Sequence, residues 1–201
     1  MSLAATPVSL LTIGITAIVS FAGFSNRRMI RDYAASPHEI LRQGKWYQTF
    51  TSGLLHVDLG HLFMNMFTLF FFGPPIERLL GGKGFFILYL GSLLAGSILT
   101  LILHSRDYGY RAVGASGAVT GVVFSYVLFF PMAPIFIFFI PIGIPAFLFA
   151  IGYVALSIVG ARRGIGHVGH AAHLGGAIGG ALLTLALEPR VVGHFLSHFL
   201  R

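Results

Sequence analysis

Long apolar runs alternate with short polar segments along this chain of 201 residues. A helix that crosses a membrane needs about 20 consecutive, mostly apolar residues. Six runs approach that length, and the pattern therefore predicts six membrane-spanning helices. They cover residues 7–24, 59–76, 85–104, 115–130, 145–159 and 171–187.

The region 112–161 is 50 residues long and holds no charged side chain, which makes it too long for a single span. Proline breaks a helix because it lacks an N–H and clashes with the preceding turn. We therefore expect two helices joined by an apolar segment, residues 132–144, that lies along the membrane interface. The prolines that interrupt the region are Pro131, Pro134, Pro141 and Pro145.

The longest polar stretch, residues 25–48, separates the first two spans and contains Trp46 and Tyr47, which suit an interfacial position. We expect irregular structure or short interfacial helices there. No basic residue precedes the first span, so we expect it to be retained rather than cleaved as a signal peptide. The simplest organisation is a single domain, residues 1–201, with a core at about 44–188.

Composition supports a membrane protein of the all-α class. Apolar residues make up 56% of the chain and charged residues only 9%, against about 25% charged in an average soluble domain. The net charge is +7, but the basic residues sit in short groups between apolar runs. Anionic lipid headgroups are therefore the expected partner, and nucleic acid is not. Without cysteine, disulfides and thiolate chemistry are excluded.

Polar residues inside membrane spans are costly and mark candidate functional sites. His61 and Asn65 are four residues apart, so they share one face of the second span. Both side chains can donate hydrogen bonds. The pattern also fits a polar pair that ties this helix to a neighbour. His56 and Asp58 lie just before them.

The string Gly-Ala-Ser-Gly at residues 114–117 opens the fourth span. A serine between glycines leaves the backbone open to close approach by another group. Nucleophile turns of serine hydrolases have this form, and Ser116 is therefore a candidate nucleophile. Taken alone, such a string is more often explained by close helix packing, because small residues are common where membrane helices touch.

A histidine cluster leads into the sixth span, with His167, His170 and His173 spaced three apart. His173, Gly176 and Gly180 fall on one helical face, which places an imidazole at the end of a smooth glycine track. An interfacial histidine cluster is the simpler alternative. A metal site is disfavoured, because the three rings rotate around the helix and no nearby carboxylate completes a ligand set.

Together these sets predict a Ser116–His173 dyad. Glycine-lined helices can bring the two side chains within hydrogen-bond distance, and a neutral imidazole can then take the serine proton. No carboxylate is well placed to complete a triad. Acyl transfer also needs donors aimed at the developing oxyanion, and His61, Asn65 and the backbone N–H of Ser116 are the available set.

The chain resembles the rhomboid family of intramembrane serine proteases. The strings that carry the resemblance are HVDLGHLFMN at 56–65, GASG at 114–117 and AHLGGAIGG at 172–180. By motif, Ser116 matches the nucleophile, His173 the general base, and His61 and Asn65 the side chains that stabilise the oxyanion. His56 matches a further histidine, for which we expect a structural or hydrating role.

The resemblance implies a six-helix membrane bundle that hydrolyses peptide bonds in or near transmembrane segments of other proteins. It implies no metal, nucleotide or other cofactor. We expect a multi-pass protein of a prokaryotic cell (inner) membrane. Two alternatives remain open: a catalytically inactive rhomboid-like protein that binds or escorts membrane proteins, and a histidine-lined metal binder.

Overall fold

The structure, a computed structural model, describes residues 6–137, 142–163 and 169–200. Helices dominate it, and a short 3₁₀ turn, Ser52–Leu54, connects two of them. The helices are α1 (Pro7–Phe24), α2 (Arg27–Tyr33), α3 (Pro37–Gln43), α4 (Gln48–Thr51), α5 (Leu59–His104), α6 (Ser116–Phe129), α7 (Ala146–Arg163), α8 (His170–Leu187) and α9 (Val191–Ser197). The strands are β1 (Pro134–Phe136) and β2 (Gly143–Pro145).

Four of these helices are long and apolar enough to cross a membrane, namely α1, α5, α7 and α8, and α6 is a shorter apolar helix. The expectation of an all-helical, multi-pass membrane fold is therefore confirmed. The second and third predicted spans both fall inside α5, which has 46 residues. Within α5, Gly81 has a φ of 71°, a left-handed conformation that suits glycine and breaks the run between the two predicted spans.

A buried carboxylate anchors the start of α1. Pro7 begins the helix, and Glu77 of α5 accepts hydrogen bonds from the N–H groups of Val8 (2.9 Å) and Ser9 (2.8 Å). The first N–H groups of a helix have no partner within it, and an anion there also interacts favourably with the helix dipole. This contact fixes α1 against α5.

Glycines let α5, α6 and α8 pack with their backbones in contact. A side-chain carbon at Gly96 of α5 would lie 2.6 Å from the carbonyl oxygen of Ala172 in α8. One at Gly175 of α8 would lie equally close, 2.6 Å, to the carbonyl oxygen of Ala95. Such contacts are typical of membrane helices that associate through small residues. These three helices form the centre of the described fold.

The segment between α6 and α7 contains a strand pair that was not predicted. Residues 132–144 were expected only to form an apolar segment along the interface, and here β1 and β2 pair antiparallel, with Ile135 opposite Ile144. The N–H of Ala146 then donates to the carbonyl of Ala133 at 3.0 Å. Pairing satisfies backbone groups that an apolar surrounding would leave unsatisfied. The prolines hid this hairpin from a helix-based prediction, and Pro141 lies outside the described residues.

The polar stretch after α1 folds into short helices, as expected, and one acidic side chain holds it together. Glu39 Oε2 accepts from Lys45 Nζ at 2.8 Å and from Gln48 Nε2 at 2.9 Å. Its other oxygen pairs with Arg111, which precedes α6. These partners, with the Lys45 bond foremost, hold the pKa of Glu39 well below its usual range, at about 2. Glu39 thus links the first loop to the segment that leads to Ser116.

We expect Glu39→Gln to lower the free energy of unfolding at pH 7 by about 2 kcal/mol, because the charged partners lose their carboxylate. The pKa of Glu39 is lower in the folded state than in the unfolded state, so its carboxylate stabilises the fold at pH values above the unfolded pKa of 4.5. This stabilisation is lost as the pH falls from 4.5 towards 2. The difference between the variant and wild type should therefore shrink at pH 3. Thermal unfolding in detergent measures the stability difference at pH 7 and at pH 3. Asp107→Asn, at an exposed carboxylate, is the control. An equal difference at both pH values would contradict this role.

Candidate active site

The four residues predicted to carry the chemistry line one cavity. Its volume is about 1350 Å³. The residues that line its wall include Ser116, His173, His61 and Asn65. Ser116 is the first residue of α6, and His173 lies in the first turn of α8. His61 and Asn65 come from the first two turns of α5. Three distant parts of the sequence therefore meet at one end of the helix bundle.

Backbone contact between α6 and α8 brings Ser116 and His173 to this cavity. A side-chain carbon at Gly117 would lie 3.2 Å from the carbonyl oxygen of Ala172. Gly117 follows Ser116 in the sequence, and Ala172 precedes His173. The two candidate residues are therefore direct neighbours of the residues at which the helices touch. Bulky residues at this contact would push the helices, and the two side chains, apart.

The loop before Ser116 requires glycine for two reasons. Gly114 has a φ of 133°, a backbone conformation that residues with a side chain rarely adopt. A carbon added to Gly114 would also lie 2.6 Å from Cε1 of the His61 ring. The N–H of Gly114 donates to the carbonyl of Ser52 at 2.9 Å. Gly114 thus makes room for His61 while its backbone is held from the other side.

His56 is fully buried and fixes the same loop. Ser20 Oγ donates to the carbonyl of Leu54 at 2.8 Å, so its oxygen is available to accept from His56 Nδ1, 2.9 Å away. This bond leaves His56 Nε2 as an acceptor, and the N–H of Ala115 donates to it at 3.3 Å. Burial lowers the pKa of His56 to about 4, which keeps the ring neutral at pH 7, as an acceptor must be. The structural role expected for His56 fits these contacts.

Packing rather than hydrogen bonding holds the ring of His61. It meets the ring of His56 edge-on, with centroids 4.9 Å apart, and its Nδ1 has no hydrogen-bond partner within the described part of the chain. Asn65 is 6% exposed, and its Nδ2 donates one hydrogen bond to the carbonyl of His61 at 3.0 Å. An amide nitrogen carries two donors, so the second N–H of Asn65 remains for another acceptor.

Asp58, the carboxylate nearest to His61 in the sequence, has a structural role. It precedes α5 and accepts from the N–H of His61 at 2.7 Å. This is the N-cap arrangement, in which a side-chain oxygen satisfies a free N–H of the first turn. Asp58 therefore sets where α5 begins and with it the position of His61.

The start of α6 adds electrostatic character to the cavity. Its N-cap residue, Ala115, offers no side chain to the N–H groups of the first turn. The N–H groups of a first helical turn point away from the helix without an internal acceptor, and they carry partial positive charge. Negative charge that develops beside Ser116 would be stabilised there.

The histidine cluster is only partly covered by the structure. His167 lies outside the described residues. His170 and His173 have ring centroids 6.5 Å apart, and the ring of His170 packs against Gly160 of α7. Over residues 6–137, 142–163 and 169–200, no three His, Asp or Glu side chains gather in a group that could hold a metal ion.

Two partners of the site were not identified from the sequence. Ser20 of α1 supports His56, and Tyr153 of α7 has its ring 6.1 Å from that of His173. Both lie in apolar spans, where a single serine or tyrosine gives no spacing signal. Only the fold shows which polar group they meet.

Comparison with known proteins places the chain in a family. The rhomboid domain model matches residues 43–190. RHOMBOID-like protein 12, mitochondrial, of Arabidopsis thaliana is 32% identical over 77% of the chain and 50% of its own length. Rhomboid protein 1, mitochondrial, of Saccharomyces cerevisiae is 36% identical over 65% of the chain and 39% of its own length. The Bacillus subtilis rhomboid protease GluP is 27% identical over 86% of the chain and 32% of its own length.

The chain therefore belongs to the rhomboid family, as the resemblance in the sequence predicted. It spans a third to a half of the length of these relatives. The expectation of a prokaryotic cell (inner) membrane is wrong, because the first two relatives are mitochondrial rhomboid proteins of a plant and a yeast. Apolar spans have the same pattern in any bilayer, so the residues carried no information about the host membrane.

Proposed function

We propose that this chain is an intramembrane serine protease that hydrolyses peptide bonds in or near the transmembrane segments of other membrane proteins. The observation that carries the proposal is the single cavity shared by Ser116, His173, His61 and Asn65. Membership of the rhomboid family supports it, since one relative is a named rhomboid protease.

The proposed reaction proceeds through an acyl-enzyme. Ser116 Oγ attacks the carbonyl carbon of the scissile bond, and His173 takes the hydroxyl proton. When the intermediate collapses, the C–N bond breaks and His173 gives this proton to the leaving amine. Water then attacks the ester, His173 again takes and returns a proton, and the new carboxyl end leaves. This reaction uses no metal or other cofactor, and no nucleic acid takes part.

The negative charge in each tetrahedral intermediate falls on the former carbonyl oxygen, and preorganised donors at that position lower the barrier. We assign this role to His61 and to the free N–H of Asn65, together with the backbone N–H of Ser116. Support for the assignment comes from the fixed positions of both side chains: Gly114 and His56 pack against His61, and Asn65 is tied to its own helix.

Substrate has to reach the cavity from the bilayer. A transmembrane segment shields its peptide bonds in helical hydrogen bonds, so it must unwind locally before attack. We propose α7 as the element that moves aside. It is the described span beside the cavity with few buried residues: Ala146, Ser157 and Gly160.

We also propose that residues 1–201 form one domain with six membrane crossings, α5 contributing two that meet near Gly81. The catalytically inactive binder remains the alternative function. Retention of both Ser116 and His173 argues against it, since the inactive form needs neither group.

Loss of either oxyanion donor is expected to reduce the rate of the chemical step. We expect His61→Ala and Asn65→Ala each to lower kcat about 10²–10³-fold with a smaller change in KM, since the contact forms mainly in the transition state. Cleavage of a transmembrane peptide in lipid vesicles, followed by mass spectrometry of the fragments, measures both constants. His198→Ala, at the opposite end of the bundle, is the matched histidine control. Wild-type kcat in both variants would contradict the assignment, and a folded wild type that never cleaves would favour the inactive binder.

A further inference from the structure

Tyr153 joins three parts of the site. Its hydroxyl lies 3.0 Å from Thr120 Oγ1, a hydrogen bond in which either oxygen can be the donor. Its ring lies beside that of His173, with centroids 6.1 Å apart and planes inclined by 31°. Tyr153 comes from the middle of α7, Thr120 from α6 and His173 from α8. One side chain therefore connects the proposed moving helix to the helices that carry the nucleophile and the base.

The place of Thr120 makes this connection specific. Thr120 is four residues after Ser116, so it lies one turn below it on the same face of α6. Both residues line the cavity, as do Tyr153 and His173. A displacement of α7 large enough to admit a transmembrane segment would separate the Tyr153 hydroxyl from Thr120. It would also remove the ring that packs beside the imidazole.

The rest of α7 is held at its ends. The N–H of Phe147 donates to the carbonyl of Pro131 at 3.0 Å, and Gly160 packs against the ring of His170. Tyr153 lies midway between these points, where the neighbouring residues Ile151 and Gly152 are exposed. In the middle of the helix, the ring of Tyr153 packs against Phe124 of α6 and against Phe149 of α7 itself, and Ser157, one turn further on, is buried.

We propose that Tyr153 is a positioning residue that couples the placement of α7 to the geometry of the base. Its hydrogen bond to Thr120 restrains α7 against the bundle, and its ring orients His173 while α7 is in place. This inference rests on the proposed protease function. It extends that function by making substrate admission and base alignment depend on the same side chain.

The two parts of Tyr153 can be tested separately by substitution. Tyr153→Phe and Thr120→Val each remove the hydrogen bond but keep the ring, and Tyr153→Leu removes both. A buried hydrogen bond typically changes an equilibrium about fivefold. We therefore expect the ratio of transmembrane-substrate cleavage to fluorophosphonate labelling to rise about fivefold in the first two variants, with no further rise when they are combined. Tyr153→Leu should label at least about tenfold more slowly, and Phe at this position should restore most of the labelling.

Tyr126→Phe is the matched control, because Tyr126 lies on α6 against Phe72 and Phe130 and outside the cavity. Both rates should stay at their wild-type values in this variant. An unchanged ratio in Tyr153→Phe and Thr120→Val, or wild-type labelling in Tyr153→Leu, would overturn the proposal. A folded wild type that neither labels nor cleaves would overturn the proposed function instead.

A distance measurement tests the restraint without relying on activity. The chain has no cysteine, so spin labels attach only at introduced sites. Ile151→Cys on α7 and Ile18→Cys on α1 place labels at residues that are 63% and 71% exposed. In lipid nanodiscs, we expect Thr120→Val to broaden the distance distribution between them, and Tyr126→Phe to leave it unchanged. Identical distance distributions in the otherwise wild-type chain, in Thr120→Val and in Tyr126→Phe would contradict a restraint by Tyr153.

Discussion

Replacement of Ser116 by alanine is expected to abolish cleavage of a transmembrane substrate, with a loss on the order of 10⁶ in kcat, as is typical when a nucleophile is removed. No other group in the described cavity is proposed to attack the carbonyl carbon. The fold should persist, because Ser116 is partly exposed to the cavity and α6 is held against its neighbours by contacts at Gly117 and Gly121, which do not involve the Ser116 side chain.

The measurement is fragment release in lipid vesicles, with helical content followed by circular dichroism. Ser125→Ala is the matched control, since Ser125 is buried on the same helix and does not line the cavity. It should cleave at the wild-type rate. Residual cleavage by Ser116→Ala above about one part in 10⁴ would show that another group carries the reaction.

A methyl group at Gly176 is expected to lower fluorophosphonate labelling about 10²-fold. A carbon there would lie 2.7 Å from the carbonyl carbon of Gly117, and because that atom is backbone, it cannot rotate aside. The helices α6 and α8 must then separate, which moves Ser116 away from His173. A displacement of about 1 Å at a reacting pair costs roughly this factor. Overpacking of this kind also lowers the free energy of unfolding by about 1–3 kcal/mol.

Gly152→Ala provides the comparison, because a carbon at Gly152 meets nothing within 4 Å. Both substitutions add one methyl group within a helix, and both gain from the higher helix propensity of alanine. We expect Gly152→Ala to keep wild-type labelling and to be at least as stable as the wild type. Equal behaviour of the two variants in labelling and in thermal unfolding would show that the contact between α6 and α8 does not set the geometry of the site.

The spans were predictable because a bilayer imposes a length and a polarity that sequence displays directly. The first predicted span, residues 7–24, coincides with α1, and the others differ from the structure by a few residues or share α5. The glycines that flank Ser116 and those that follow His173 also indicated close packing, and Gly117 and Gly176 do meet across α6 and α8. These features are set by residues along one helix or on one helical face, and the periodicity of the sequence therefore shows them.

Contacts between distant segments were not predictable in the same way. The bond from Ala115 to His56, and from His56 to Ser20, joins three segments whose separation in sequence carries no period. The hairpin of β1 and β2 was hidden because its prolines and apolar residues resemble a broken helix. The contact between Tyr153 and His173 depends on how α7 packs against the bundle, and no local sequence pattern predicts that packing.

Covalent labelling shows whether His173 activates Ser116. Wild-type protein, purified in detergent, is treated with a fluorophosphonate, and the modified residue is located by peptide mass mapping. We expect a single adduct on Ser116 that is lost in His173→Ala, because the hydroxyl reacts only when the imidazole removes its proton. An adduct on another serine, unchanged labelling in His173→Ala, or no adduct on the folded protein in detergent and in lipid vesicles would contradict this expectation.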